Sequence, residues 1–142
     1  MTEYDRDNIF AKIIRGEMPA HKVYEDDATL AFMDIMPRAD GHCLVIPTAP
    51  ARNLLDADPQ ILASVAATAQ RIAKAAMTAF EADGITVQQF NESAGGQVVF
   101  HYHVHVIPRR EGVPLGPHTG DMADDDRLAG QAAALRAALG QR

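Results

Sequence analysis

The chain is 142 residues long with a formal charge of -6, a length that suits one domain burying about two thirds of its unfolded surface. Its acidic balance, with a pI near 5.4, excludes a nucleic-acid backbone binder, which needs a basic face, so any phosphate-bearing ligand is expected to be small and held by local groups. A single cysteine, Cys43, leaves no internal disulfide. With no secretory leader and no apolar 18-mer legible, no membrane contact and a cytoplasmic location are expected.

Asn8 can cap a short helix from Ile9 to about Glu17, apolar at Ile9, Phe10, Ile13 and Ile14 and closed by Gly16 and Pro19. Three strands are predicted next, at Val23–Glu25, Leu30–Ile35 and His42–Pro47, separated by turn-rich segments. Asp58 before Pro59 is an N-cap and first-turn pair opening one long amphipathic helix that runs to Asp83, with Gly84 as the stop. Ile85–Phe90 and Val98–Ile107 return to strand character around a Gly-containing loop at Asn91–Gly96. An irregular stretch from Pro108 to Ala123 leads to a last helix over Asp125–Leu139, capped by Asp124. The order implies an α+β domain, an antiparallel sheet of about five strands with the helices on one side. We expect a single domain over residues 1–142, with a core at about 8–110 and an extension at 111–142.

The strongest chemical signal is His101-Tyr102-His103-Val104-His105. On a strand, alternate side chains share a face, so the three imidazoles are expected on one side at intervals of about 6.5 Å. Imidazole can act as nucleophile, base or acid near neutral pH. Two other readings compete: a solvated face, and a metal site. Neighbouring histidines can share one ion, but His101 and His105 would lie about 13 Å apart along the strand. Cys43, next to His42, reads as an inert buried thiol, and His21 and His118 as exposed side chains.

The segment His101 to Ile107 resembles the His-φ-His-φ-His-φ-φ signature of the histidine triad superfamily, where φ is apolar or aromatic. Ile9 to Ala20, Phe32 to Pro37, Gly41 to Pro47 and Asn91 to Pro108 resemble its other blocks in the same order, covering most of residues 8 to 110. The likeness is to the bacterial Hint-like nucleotide hydrolases. It implies that His103 attacks the α-phosphorus of a nucleotide conjugate and that His105 binds the phosphoryl oxygens or protonates the leaving group. His42 and His101 would be an orienting pair that fixes the tautomer of the nucleophile. Asn91 and Gln97 would contact the phosphate and the scissile region, and Asp34 the ribose hydroxyls. Phe10, Ile13, Phe32 and Ile35 would wall the base pocket. It also implies a homodimer paired through the long helix, whose Ala66, Ala69, Ala73 and Ala76 form a small-sided face.

Three departures from the family pattern are legible. The positions that hold a structural zinc in many bacterial relatives are Asn8, Ala11 and Pro50 here, so no metal and no cofactor are expected. Val98 stands where a Ser or Thr can donate to phosphate. The tail lacks the short aromatic ending of the phosphoramidase branch. The expected activity is hydrolysis of a purine nucleoside phosphoramidate or acyl-adenylate. A dinucleoside polyphosphate hydrolase is the alternative within the class, and a nucleotide-binding module with little turnover is the alternative outside it.

Overall fold

A computed structural model describes residues 3–117 and 120–140; His118, expected above to be exposed, lies outside the described residues. Helix α1 (Ile9–Ile14) is capped by Asn8, whose side chain accepts from the Ala11 amide. It ends three residues before the predicted Glu17, because Gly16 turns left-handed at φ +78°. Strands β1 (Lys22–Glu25), β2 (Thr29–Met33), β3 (Cys43–Pro47), β4 (Gly84–Gln88) and β5 (Val104–Arg109) form one antiparallel sheet in the order β1-β2-β3-β5-β4. Helix α2 (Pro59–Ala79) starts on the Asp58 cap as predicted, and helix α3 (Asp125–Leu139) closes the fold.

Period-two alternation gives the sheet two different faces. Ala31, Met33, Cys43, Val45, Val104 and Val106 point to one side and are covered by Val65, Ile72 and Ala76 of α2 and by Leu128, Ala132 and Leu135 of α3. The sequence extension is thus part of the main core rather than an appendage. Leu30, Phe32, Leu44 and Ile46 point to the other side, where Phe10 and Ile13 of α1 pack on them. This second cover is short, and it leaves room for a cleft.

Two expectations are corrected here. The predicted strand from Val98 becomes ladder only at Val104, opposite Val45. Beyond that pair β3 reaches Pro47, which has no N–H to donate, and the ring of His101 takes the Pro47 carbonyl instead, at 2.9 Å. His101 and His103 therefore sit in a bent approach to β5, and His105 alone of the three is on the strand. On α2, Ala69 and Ala76 are buried against the chain's own sheet and Ala73 packs there too, so the alanine stripe is mostly core. Met77 and Val87, by contrast, are exposed. Among the described residues no helix is long and apolar enough to cross a membrane.

Candidate active site

The cleft lies on the thinly covered face and encloses about 560 Å³, within the range of small-molecule sites. Phe10, Ile13, Phe32 and Ile35 line it, joined by Leu44, Phe90 and Val98, which the sequence did not single out for the pocket. Met122 and Asp125 complete one wall, brought there when the tail crosses the cleft and Ala123 N–H donates to the Ile35 carbonyl. His103, His105 and Asp34 are the ionisable groups at the centre of this apolar lining.

Hydrogen bonding decides which nitrogen of each ring carries the proton. A carbonyl can only accept, so His103 Nδ1, 2.6 Å from the His101 carbonyl, must be the donor. The lone pair of neutral His103 is then on Nε2. The His42 ring works through its neighbour: the Arg38 amide donates to His42 Nδ1 at 3.0 Å. Neutral His42 carries its proton on Nε2 and donates it to His105 Nδ1 at 2.9 Å. With Nδ1 accepting, neutral His105 holds its own proton on Nε2. Two rings 5.0 Å apart thus carry opposite tautomers, one with a lone pair on Nε2 and the other with an N–H there.

This differs from the expected orienting pair. His101 fixes the tautomer of His103 through its main-chain carbonyl, and His42 acts on His105 rather than on His103. The register is the cause: Leu44 stands opposite His105, which puts His42 diagonally beside His105 on the same face. The side chain of His101 is fully buried, bonded to Pro47 O and to the hydroxyl of Tyr4. Burial is the main cause of its lowered pKa.

Asp34 follows β2, at the edge of the His42–His105 pair. Its Oδ2 is 3.4 Å from His42 Nε2 and 4.0 Å from His105 Nδ1, and its Oδ1 accepts from the Met36 amide. Burial raises its pKa to about 6, against the smaller opposing effect of that amide. The expected phosphate contacts are placed otherwise. Gln97 is buried, its Oε1 accepting from Asn53 and the Glu92 amide and its Nε2 donating to the Arg52 and Val99 carbonyls. Asn91 is held by Leu54 N–H and Gln89. Neither lines the cleft; both shape the loop that does. That loop is clamped by Arg52, which grips Glu92 with two hydrogen bonds. The clamp escaped the sequence reading, which had no local signal for a pairing 40 residues apart.

Asn8, Ala11 and Pro50 do not suit a zinc ion, since Asn8 spends its side chain on the α1 cap and on Asp5 O and the other two offer no ligand atom. A different set does come together: Asp34, His42 and His105 each offer one ligand atom, all within 4.8 Å of one another. Spacing along a single strand could not disclose it, because the three residues come from three segments. Cys43 is buried on the helix-covered face beside Met33, and burial pushes its thiol pKa up. His21 is partly buried and meets Asp125.

Comparison with known proteins finds relatives that cover most of the chain. A family model described as HIT domain matches residues 15–112. An uncharacterized HIT-like protein of Mycobacterium tuberculosis is 42% identical over 136 residues, covering 94% of each chain. The adenylylsulfatase HINT3 of Arabidopsis thaliana is 40% identical over 105 residues, 74% of this chain and 53% of that protein. Among solved structures, a Hit-like protein from Bartonella henselae superposes with a TM-score of 0.92 at 54% identity, covering 96% of this chain and 99% of its own. A zinc-bound histidine triad family protein from Mycobacterium smegmatis gives 0.83 at 39% identity, with 94% of both chains covered.

Proposed function

The chain belongs to the histidine triad family, and on that premise we propose that it hydrolyses purine nucleoside 5′-phosphate conjugates through a nucleotidyl intermediate on His103. The observation that carries this reading is the pair of opposite tautomers. In the first step His103 Nε2 forms a bond to the α-phosphorus as the bond from phosphorus to the leaving group breaks. The departing electron pair takes a proton from His105 Nε2, with His105 reacting as the imidazolium whose second proton on Nδ1 faces the Asp34 carboxylate at 4.0 Å, so that neutral imidazole is left behind. This matters because an amine leaves poorly unless protonated. In the second step water attacks phosphorus, the Nε2–P bond breaks, and the water proton returns to His105. Splitting one displacement into two in this way is covalent catalysis by an activated nucleophile.

The apolar walls suit a base, and the carboxylate of Asp34 suits ribose hydroxyls, two donors meeting two acceptors. In the resting site His42 keeps the proton of neutral His105 on Nε2, the nitrogen that meets the leaving group. In this reading no step needs a metal. Were an ion to bind Asp34, His42 and His105, it would take His105 Nδ1 and the ribose carboxylate together. We also propose a symmetric homodimer. Its support is the open edge of β4, with Val87 and Met77 exposed nearby, and native mass spectrometry showing only a species near 15.3 kDa at micromolar concentration counts against it.

The test of substrate class is a ³¹P NMR panel of adenosine phosphoramidate, an aminoacyl-adenylate, diadenosine polyphosphates and adenylyl sulfate, the last suggested by the name of the Arabidopsis relative. Fastest turnover of the phosphoramidate or the acyl-adenylate is expected. Preference for the polyphosphates favours the dinucleoside alternative. Binding of the nucleotide with no turnover of any member favours a binding module.

A further inference from the structure

His101 takes no part in the proton transfers above, yet it is fully buried and its carbonyl holds the nucleophile. Its ring makes two polar contacts. Nε2 must donate to the Pro47 carbonyl at 2.9 Å, so in the neutral ring Nδ1 is an acceptor, and the Tyr4 hydroxyl donates to it at 2.6 Å. Tyr4 lies ahead of residues 15–112, where the family model begins and ends, and it stands outside every motif read in the sequence.

We propose that Tyr4 is a positioning residue for the reaction: its hydroxyl pins His101, so that the His101 carbonyl stays on His103 Nδ1–H while phosphorus is attacked. The proposal rests on the nucleotidyl-histidine reading of His103. When His103 Nε2 bonds to phosphorus, positive charge develops on its ring and is shared by Nδ1–H, which points at that carbonyl. Movement of the carbonyl loosens a contact that fixes the tautomer. A second positive charge two residues away, on His101, opposes the one forming, and a hydroxyl donated to Nδ1 favours the uncharged His101.

The contact is built rather than incidental. The Tyr4 ring meets the His101 ring edge-on at 5.6 Å between centroids, and Phe10 meets it from another side at 6.5 Å. The segment carrying Tyr4 is tied down independently of its hydroxyl, by Asn8 Nδ2 donating to Asp5 O and by the Arg15 guanidinium donating to Arg6 O. Tyr4→Phe therefore removes one hydroxyl and leaves the ring and the segment anchored.

The experiment is single-turnover formation of the nucleotidyl adduct from adenosine phosphoramidate, followed by quench and intact mass, in the wild type and in Tyr4→Phe. A loss of about 3–10-fold in the rate of adduct formation is expected, the size of one buried hydrogen bond, with nucleotide affinity unchanged within about twofold. Imidazole ¹⁵N NMR should show the His103 Nδ1–H signal broadened by faster exchange in the variant, which a stability role alone does not produce. Tyr4→Leu repeats the rate loss should the phenylalanine variant fold poorly. Equal adduct rates with an unchanged His103 signal overturn the proposal. A wild type that forms no adduct overturns the His103 reading first, so the two failures are told apart.

Discussion

The two faces of the sheet are made by the same strands and do opposite jobs. On the side covered by α2 and α3, Val45, Val104 and Val106 are buried among aliphatic neighbours. One residue along, Leu44, His103 and His105 face the cleft. The closed face holds no reacting group, while the cleft face holds the histidines, the carboxylate and little cover beyond α1. Stability and chemistry are thus separated by the pleat of the strand, so substitutions on one face should damage stability and on the other turnover.

The largest separation is expected at His103. Replacing it by Ala should lower kcat by at least about 10³-fold while nucleotide affinity stays within about tenfold, because the covalent route is lost but the base and ribose contacts remain. Retention of more than about a tenth of kcat removes His103 as the nucleophile. His105→Ala comes next. It should cost about 10²–10⁴-fold with an amine leaving group, the range of general acid catalysis, and much less with p-nitrophenolate, which departs without a proton. Equal losses on both substrates remove the acid role.

The opposite result is expected across the sheet. Ile72 is fully buried on α2, and Ile72→Ala should lower unfolding stability by about 2–5 kcal/mol with kcat per folded molecule unchanged. Denaturant melts beside burst-titrated activity check both halves; a large kcat loss in the folded fraction breaks the comparison.

How much of this was legible in sequence follows the same division. The short apolar runs of β2 and β3 between turn-rich segments, the Asn8 and Asp58 caps and the amphipathic course of α2 are local signals, and each gave its element. The histidine spacing announced a shared face for the same reason. What stayed hidden is what depends on pairing between distant segments. The strand expected over Val98–Ile107 is longer than the observed β5 because the missing donor that stops the ladder, Pro47, is on β3. Gln97 and Asn91 read as phosphate contacts, but the loop uses their amides. Tyr4, and the link from Arg38 through His42 to His105, needed the fold before they could be seen at all.

Smaller effects sharpen the cleft side. The Asp34 carboxyl, raised by burial to about 6, binds a proton more tightly folded than unfolded. Its charge therefore costs stability, and its contribution falls as pH rises from about 4 through 6. In the proposed ribose contact the carboxylate is the active form, so KM should rise as pH drops below about 6. Asp34→Asn should flatten both profiles and carry a high KM throughout. Unchanged profiles in that variant place the titrating group elsewhere. The smallest effect is expected from chelation: EDTA should change neither Tm nor kcat on a phosphoramidate. Activity lost to EDTA and restored by Zn²⁺ would promote the Asp34–His42–His105 set from a coincidence of side chains to a working metal site.

The central claim is that His103 carries the nucleotide. It is tested most directly by rapid mixing with adenosine phosphoramidate, acid-free quench, and peptide mass mapping of the adduct. The account predicts one adenylyl group on His103, formed within the first turnover, decaying as AMP appears and absent from His103→Ala. A full burst of AMP with no modified His103 peptide, or an adenylyl group on another residue, would contradict it.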